Sequence, residues 1–377
     1  MAHYKMSDVV IEVKDKESSP STSKYERFVG LEHYVSGDVE ISQYGKTDSL
    51  ESTMKVFQAG DILVARRNVY LRRASRVSFD GLTSGDSIVL RANDKVMARI
   101  LPFVLNTDAF WNYADQHSDG TMSKRLSPKL LLDYEFDLPD EGLEDFSDLL
   151  WAVNDTRNSY RQLLIKTDDM VKSQFIEEIM PLIESGETIP LDDLIEDGRP
   201  ITYGILKPGS GFPGGVPVVK VKDMKDGVID QSDLLLTTPE LDYQYRRSRL
   251  RSGDLLISIR GSVGRMAEVP ENLENANITQ DTARLTIKPE YNKVYIRGVL
   301  ESRPLQEDME RNIRGVAVKG INISYLRELG IPVCDRRRQD ELAELYKQSD
   351  KSKFELNKAI EKTTNLMRDL MRQEFGK

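Results

Sequence analysis

Phe57-Gln-Ala-Gly-Asp-Ile-Leu-Val-Ala-Arg66 sets a Gly-Asp pair before a short apolar run that ends in arginine. Leu250-Arg-Ser-Gly-Asp-Leu-Leu-Ile-Ser-Ile-Arg260 repeats that plan. Gly60 and Gly253 lie at positions that differ by 193. Downstream, Asp86 answers to Asp281, Val104-Leu105 to Val299-Leu300, Gly120 to Gly315 and Lys124 to Lys319, each at a spacing of 195. Leu138-Pro139 then answers to Ile331-Pro332, again at 193. A drift of two residues over so many anchors indicates a duplicated unit with small loop insertions. The period is too long for a solenoid repeat, so it predicts two similar domains in one chain. In this alignment Arg66 is matched with Arg260.

A chain of 377 residues is long enough for two such cores. Its 39% hydrophobic and 31% charged content is that of a soluble protein. No apolar run approaches the ~20 residues of a membrane span, and no signal-peptide core is expected at the start. Cys334 is the single cysteine, which excludes an internal disulfide and suits a cytoplasmic location. The net charge of −9 argues, by itself, against a nucleic-acid partner. The distribution of charge argues the other way. Between Asp61 and Arg76 stand Arg66, Arg67, Arg72, Arg73 and Arg76 with one acid. Between Tyr243 and Arg265 stand Arg246, Arg247, Arg249, Arg251, Arg260 and Arg265, again with one acid. Each basic island borders the Gly-Asp strand of its own repeat. The ordinary reading of a charge cluster is a solvated face, but its recurrence beside the same strand favours a shared role.

The Gly-Asp pairs read as turns feeding buried strands at 62–65 and 255–259. Further strands are expected at 76–79, 87–90, 266–269 and 283–287, and shorter helices at 103–116 and 294–303. Each repeat is thus a compact α+β domain. A different texture follows each one. Residues 146–179 and 339–375 contain no glycine or proline. Their apolar residues include Leu149, Val153, Tyr160, Leu163 and Met170 in the first stretch, and Leu342, Leu345, Leu356, Ile360, Met367 and Leu370 in the second. Such narrow stripes predict long amphipathic helices with coiled-coil pairing, each roughly 50 Å long. The first should stop near Met180-Pro181. The order domain, helix, domain, helix favours antiparallel pairing of the two helices, related by a pseudo-twofold axis. The competing arrangement pairs them with other chains.

Phe28-Val-Gly-Leu-Glu-His33, Gly60-Asp-Ile-Leu-Val-Ala-Arg-Arg-Asn-Val-Tyr-Leu-Arg-Arg73 and Ser84-Gly-Asp-Ser-Ile-Val-Leu90 resemble a target recognition domain of a type I restriction-modification specificity subunit. Val218-Val-Lys-Val-Lys-Asp223, Gly253-Asp-Leu-Leu-Ile-Ser-Ile-Arg-Gly-Ser-Val-Gly264 and Asn322-Ile-Ser-Tyr-Leu-Arg-Glu-Leu-Gly-Ile-Pro332 resemble the second. The resemblance implies an α+β chain: target recognition domains at 1–143 and 186–334, and long antiparallel helices at 144–185 and 335–377. It further implies a non-catalytic subunit that reads a bipartite site in double-stranded DNA. Its partners would be two methyltransferase subunits, with endonuclease-translocase subunits joining through the complex. Before Tyr25 the two repeats share little beyond Asp8-Val-Val-Ile11 and Asp193-Leu-Ile195.

Arginine suits both contacts that a DNA reader needs, because its fork binds phosphate oxygens and guanine O6 and N7. Arg66, Arg67, Arg72 and Arg73 around Tyr70 form the candidate surface of the first domain. Arg246, Arg247 and Arg260 form that of the second, with Tyr203 before a glycine-rich loop. Lys124 and Lys319 are candidate loop cations. Most of these contacts are expected at phosphates. No complete phosphate-loop motif, nucleophile elbow or metal-ligand spacing is present in the sequence, so no catalytic residue, metal or cofactor is expected. Rival readings are a homo-oligomeric coiled-coil scaffold, an enzyme with an unrecognised site, and a specificity subunit of a non-restricting methylation or defence system.

Overall fold

The computed structural model describes residues 1–120, 124–315 and 319–375. The chain divides into two compact units, Met1–Arg161 with Lys358–Lys377, and Gln162–Asn357. Each long helix therefore contributes one part to each unit.

The first unit is built on a four-stranded sheet ordered 10–12, 87–92, 62–65, 74–76. In the second unit the order is 202–203, 282–285, 255–258, 266–268. The register repeats as well. Leu63 opposes Val89 as Leu256 opposes Arg284. Residues alternate across a strand, and here both faces are covered. Ile62 and Val64 pack with the helices, whereas Leu63 and Ala65 pack against a second sheet. Leu255 and Ile257 do the same on one face, and Leu256 on the other. Two-sided burial is why these strands read as unbroken apolar runs rather than alternating ones.

The Gly-Asp turns share their backbone hydrogen bonds. Gly60 and Gly253 have φ of +96° and +83°, a region that disfavours side chains. Their N–H groups donate to Val77 O and Val269 O at 2.8 Å. The next residue folds its carboxylate back onto the chain. Asp61 Oδ2 accepts from Gln58 N at 2.8 Å, and Asp254 Oδ2 from Arg251 N at 2.7 Å. Each carboxylate is also gripped by an arginine, Arg91 on Asp61 and Arg199 on Asp254. The second sheets differ in size, with five strands in the first unit and three in the second. Each still carries a parallel pair, 27–29 with 81–83 and 216–219 with 277–278. After that pair, His33 Nδ1 accepts from Gly30 N, and Asp223 Oδ2 accepts from Lys220 N, both at 2.9 Å. The likeness between Asp8–Ile11 and Asp193–Ile195 is structural too. Val10 opposes Ala92, and Ile195 bridges Ile287.

Several expectations are corrected. The expected strand at 76–79 is Ala74–Arg76. The helix expected at 103–116 is two, Lys95–Val104 and Asp108–His117. Asn106 donates to Pro102 O and Ala74 O, and Thr107 Oγ1 accepts from Phe110 N, so the chain stops and restarts there. A matching pair, Lys293–Glu301 and Arg303–Arg311, occupies the second unit. The first long helix, Leu143–Ser185, runs through Pro181 rather than ending at it. The second spans Arg336–Phe375.

The first helix turns only part of the expected face inward, with Val153 buried. Leu149, Leu163 and Met170 are about half exposed. In the first unit the inward line carries Leu150, Asn154 and Arg157, with Arg161 partly buried. There Asp38 receives both Arg157 and Arg161 at 3.1 and 2.9 Å. Phe146 meets Phe375 edge-on, so the start of one helix lies at the end of the other. In the second unit the inward line carries Asp168, Val171, Phe175 and Ile179. Asp168 pairs with Lys353 at 3.0 Å and Glu178 with Arg338 at 2.9 Å, an antiparallel register. Phe175 and Tyr346 meet edge-on between them.

Burial pushes the Asp168 carboxyl up, but hydrogen bonds from Lys172 and Lys353 outweigh it and hold it below its usual value. A depressed folded-state value stabilises above the unfolded value near 4 and is lost as pH falls. Asp168→Asn should therefore lower the denaturation midpoint at pH 7, and the gap from the parent should close below about pH 4. A gap that persists in acid would show that packing, not charge, sets the effect.

Candidate nucleic-acid interface

Beyond the central strand of each unit, the backbone stitches a hairpin onto the strand end. In the first unit Arg66 N donates to Asp86 O at 2.9 Å, Leu126 N to Arg66 O at 2.9 Å, and Asn68 N to Lys124 O at 3.0 Å. In the second, Ile259 N donates to Asp281 O at 2.8 Å, Ile321 N to Ile259 O at 2.9 Å, and Gly261 N to Lys319 O at 3.1 Å. Gly120 and Gly315, at φ of +101° and +110°, begin the two hairpins. These equivalences correct the alignment of the repeats by one residue. The counterpart of Arg260 is Arg67, and Arg66 answers to Ile259.

Arg67 is half exposed and forms an ion pair with Asp86, its Nε 2.8 Å from Oδ1. Arg125, from the hairpin, reaches the same oxygen at 3.0 Å. Arg66 is partly buried, with Nε donating to Leu126 O at 3.3 Å. Burial, and then the nearby Arg125 charge, push its pKa below the ordinary arginine value. The local positive charge is therefore only partly neutralised and favours an anion. In the second unit Arg260 stands 4.0 Å from Asp281, and Gly320 replaces Arg125. Lys319 is exposed, with no side-chain partner among the described residues.

The remaining candidates separate. Tyr70 is well exposed on a short turn, 69–71. Arg72 turns aside to Asp108 at 2.5 Å, a carboxylate shared with Arg372. Hydrogen bonds from Arg372 and then Arg72 hold the Asp108 carboxyl below its usual value. Arg73 is corrected outright. It is only 9% exposed, donates to Leu31 O and Arg67 O at 3.0 Å, and has its pKa lowered by burial. It braces the turn from inside. Lys124 is held by Asp115 through Oδ2 at 2.7 Å and the backbone oxygen at 2.9 Å.

In the second unit Arg246 lies over the exposed Tyr243 ring at 4.9 Å. Arg247 is exposed and its side chain has no partner among the described residues. The loop beneath them is fixed by a side chain that the sequence reading did not single out. Arg284 is 1% exposed and donates to Arg247 O, Arg249 O and Pro200 O at 3.1–3.2 Å. Burial lowers its pKa to about 10. Tyr203, half exposed on the edge strand 202–203, is separate from this loop's hydrogen bonds. Among the described residues, no cluster of histidine, cysteine or carboxylates could hold a metal, and no helix is long and apolar enough to cross a membrane.

No protein-family model matches the chain. The Type I restriction enzyme EcoBI specificity subunit of Escherichia coli is 31% identical over 197 residues, 50% of this chain and 41% of the relative's length. The match thus spans less than half of that relative. The crystal structure of a Type-I restriction-modification system S subunit from M. genitalium is similar at a TM-score of 0.55 and 13% identity, covering 99% of this chain and 96% of that one. The chain has the specificity-subunit fold. The fold expected from the Gly-Asp motifs and the long helices agrees with the structural match. Within the specificity-subunit fold, the strand-end arginine, its aspartate and the stitched hairpin are what the two units have in common at one address.

Proposed function

We propose that the chain is a DNA-binding specificity subunit that reads a two-part sequence and directs adenine methylation or cleavage by partner subunits. The observation that carries this is the recurrence, in two units of one chain, of the same arginine-bearing strand end. One reader per unit requires two half-sites in the target. Arg67 and Arg260 are the first choices for base contact, with Arg66, Arg125, Arg246, Arg247 and Lys319 at phosphates. The resemblance to the Escherichia coli subunit supports methyltransferase partners, with an endonuclease-translocase joining through them. The chemistry belongs to those partners, and this chain supplies the address. A scaffold without a DNA role is not favoured, because it gives no reason for duplicated arginine sites.

The test is methylation mapping across the genome of cells that express the chain with its cognate methyltransferase. A split, asymmetric methylated motif is the expected result. Methylation absent, or confined to an undivided motif, would refute the function.

A further inference from the structure

We infer that Asp86 is a positioning residue that makes the strand-end arginine Arg67 read guanine. The inference rests on the DNA-reading function proposed above and goes beyond it by naming the base and the device.

Phosphate binding alone gives no reason for this carboxylate. An acid set among arginines repels the DNA backbone and lowers affinity. Yet one occurs in both units, at positions whose backbone oxygens receive the same strand-end N–H. The Asp86 side chain is a quarter exposed, and both of its partners are arginines at the surface, Arg67 and Arg125. The turn is held by Ser87 N donating to Ser84 O and Asp86 N donating to Ser84 Oγ, both at 3.2 Å. The carboxylate is therefore not what secures the local chain.

Its effect falls on Arg67. Asp86 Oδ1 lies 2.8 Å from Nε as an ion pair, and the two terminal nitrogens have no hydrogen-bond partner among the described residues. A guanidinium gripped at Nε keeps its outer fork free and loses the freedom to swing onto a phosphate. That fork matches O6 and N7 of guanine in the major groove. Adenine, with a donor in place of O6, does not match it. The carboxylate thus trades general affinity for discrimination. In the second unit the nearest approach is from Arg260 Nη1, a fork nitrogen, at 4.0 Å from Asp281 Oδ1, with no second arginine, so Asp281 does not hold Nε there. The first unit should therefore discriminate more strongly at its guanine.

The experiment uses Asp86→Asn and Asp281→Asn chains assembled with the cognate methyltransferase. Binding is measured on DNA with each half-site randomised, and on unrelated DNA at one fixed salt concentration. Asp86→Asn should reduce preference for guanine about tenfold at one position of one half-site. It should leave the other half-site unchanged and strengthen binding to unrelated DNA, with the unfolding midpoint of the parent. Asp281→Asn, where the carboxylate does not hold Nε, should leave base preference in the other half-site unchanged. Discrimination that in Asp86→Asn stays intact, falls in both halves together, or falls at a base other than guanine would overturn the inference. So would a loss of specific and unrelated binding together, the mark of a merely structural role. A parent assembly with no two-part preference would instead overturn the function itself, and the inference with it.

Discussion

Asp254→Ala should cost the Gln162–Asn357 unit about 3–5 kcal/mol, the usual effect of breaking one side of a buried ion pair. The Asp254 side chain is 1% exposed and holds three donors at once. Arg251 N and Arg199 Nη2 reach Oδ2 at 2.7 Å, and Thr286 Oγ1 reaches Oδ1 at 2.6 Å. Alanine leaves Arg251 N and Thr286 Oγ1 without that acceptor, and leaves the Arg199 guanidinium, only 14% exposed, with the neutral acceptors Thr286 Oγ1 and Arg249 O alone. The turn that carries Gly253 loses its internal brace at the same time. Denaturant unfolding, followed by a probe within that unit, should show an early transition. Asp61→Ala in the other unit removes the equivalent carboxylate, but Arg91 is 35% exposed and water can take its place. Its midpoint should fall by clearly less. Equal losses would mean that the turn's backbone, rather than the ion pair, dominates.

Arg67→Ala and Arg260→Ala should each weaken one half-site and spare the other. Loss of a bidentate base contact is worth about 1–3 kcal/mol, or roughly 5- to 150-fold in preference at one base. Arg247→Ala should behave differently. With an exposed, unpaired guanidinium it fits a phosphate contact, so affinity should fall evenly across sequences and the salt dependence should become shallower by about one ion. Arg73→Ala offers the contrast. It should lower stability first, because Leu31 O and Arg67 O lose their buried donor. Competition binding with each half-site randomised separates these effects. If Arg67→Ala and Arg260→Ala altered the same half-site, the reading of one unit per half would fail.

The strands and turns were legible because their chemistry leaves few choices. A glycine at positive φ followed by an aspartate that caps its own turn has few substitutes, and a strand buried on both faces must be apolar throughout. The duplicated spacing then carried that reading across the chain. The helix seam was harder. Its inward positions include Asn154, Arg157, Arg161 and Asp168, and of the expected apolar stripe Val153 is buried while Leu149, Leu163 and Met170 face out, so the stripe marked the seam only in part. Local pattern cannot show that a carboxylate from a distant loop, Asp38, makes buried arginines tolerable. The arginine cluster had the same weakness. Arg67 and Arg73 are the same letter six residues apart, and only the position of two carbonyls decides which is buried. Arg125 escaped notice because its counterpart is a glycine, so the repeat gave no signal there.

The ion pairs between the helix segments of the second unit have a consequence for how the chain avoids mistakes. Hydrophobic heptads tolerate slippage, since one leucine sits against its neighbour's site nearly as well as its own. Asp168 does not. Slid by seven residues along its partner, it would leave Lys353 for the level of Tyr346, and a half-hidden carboxylate would face an aromatic ring. The charges thus serve as a proofreading mark, penalising near-miss alignments more than they strengthen the correct one.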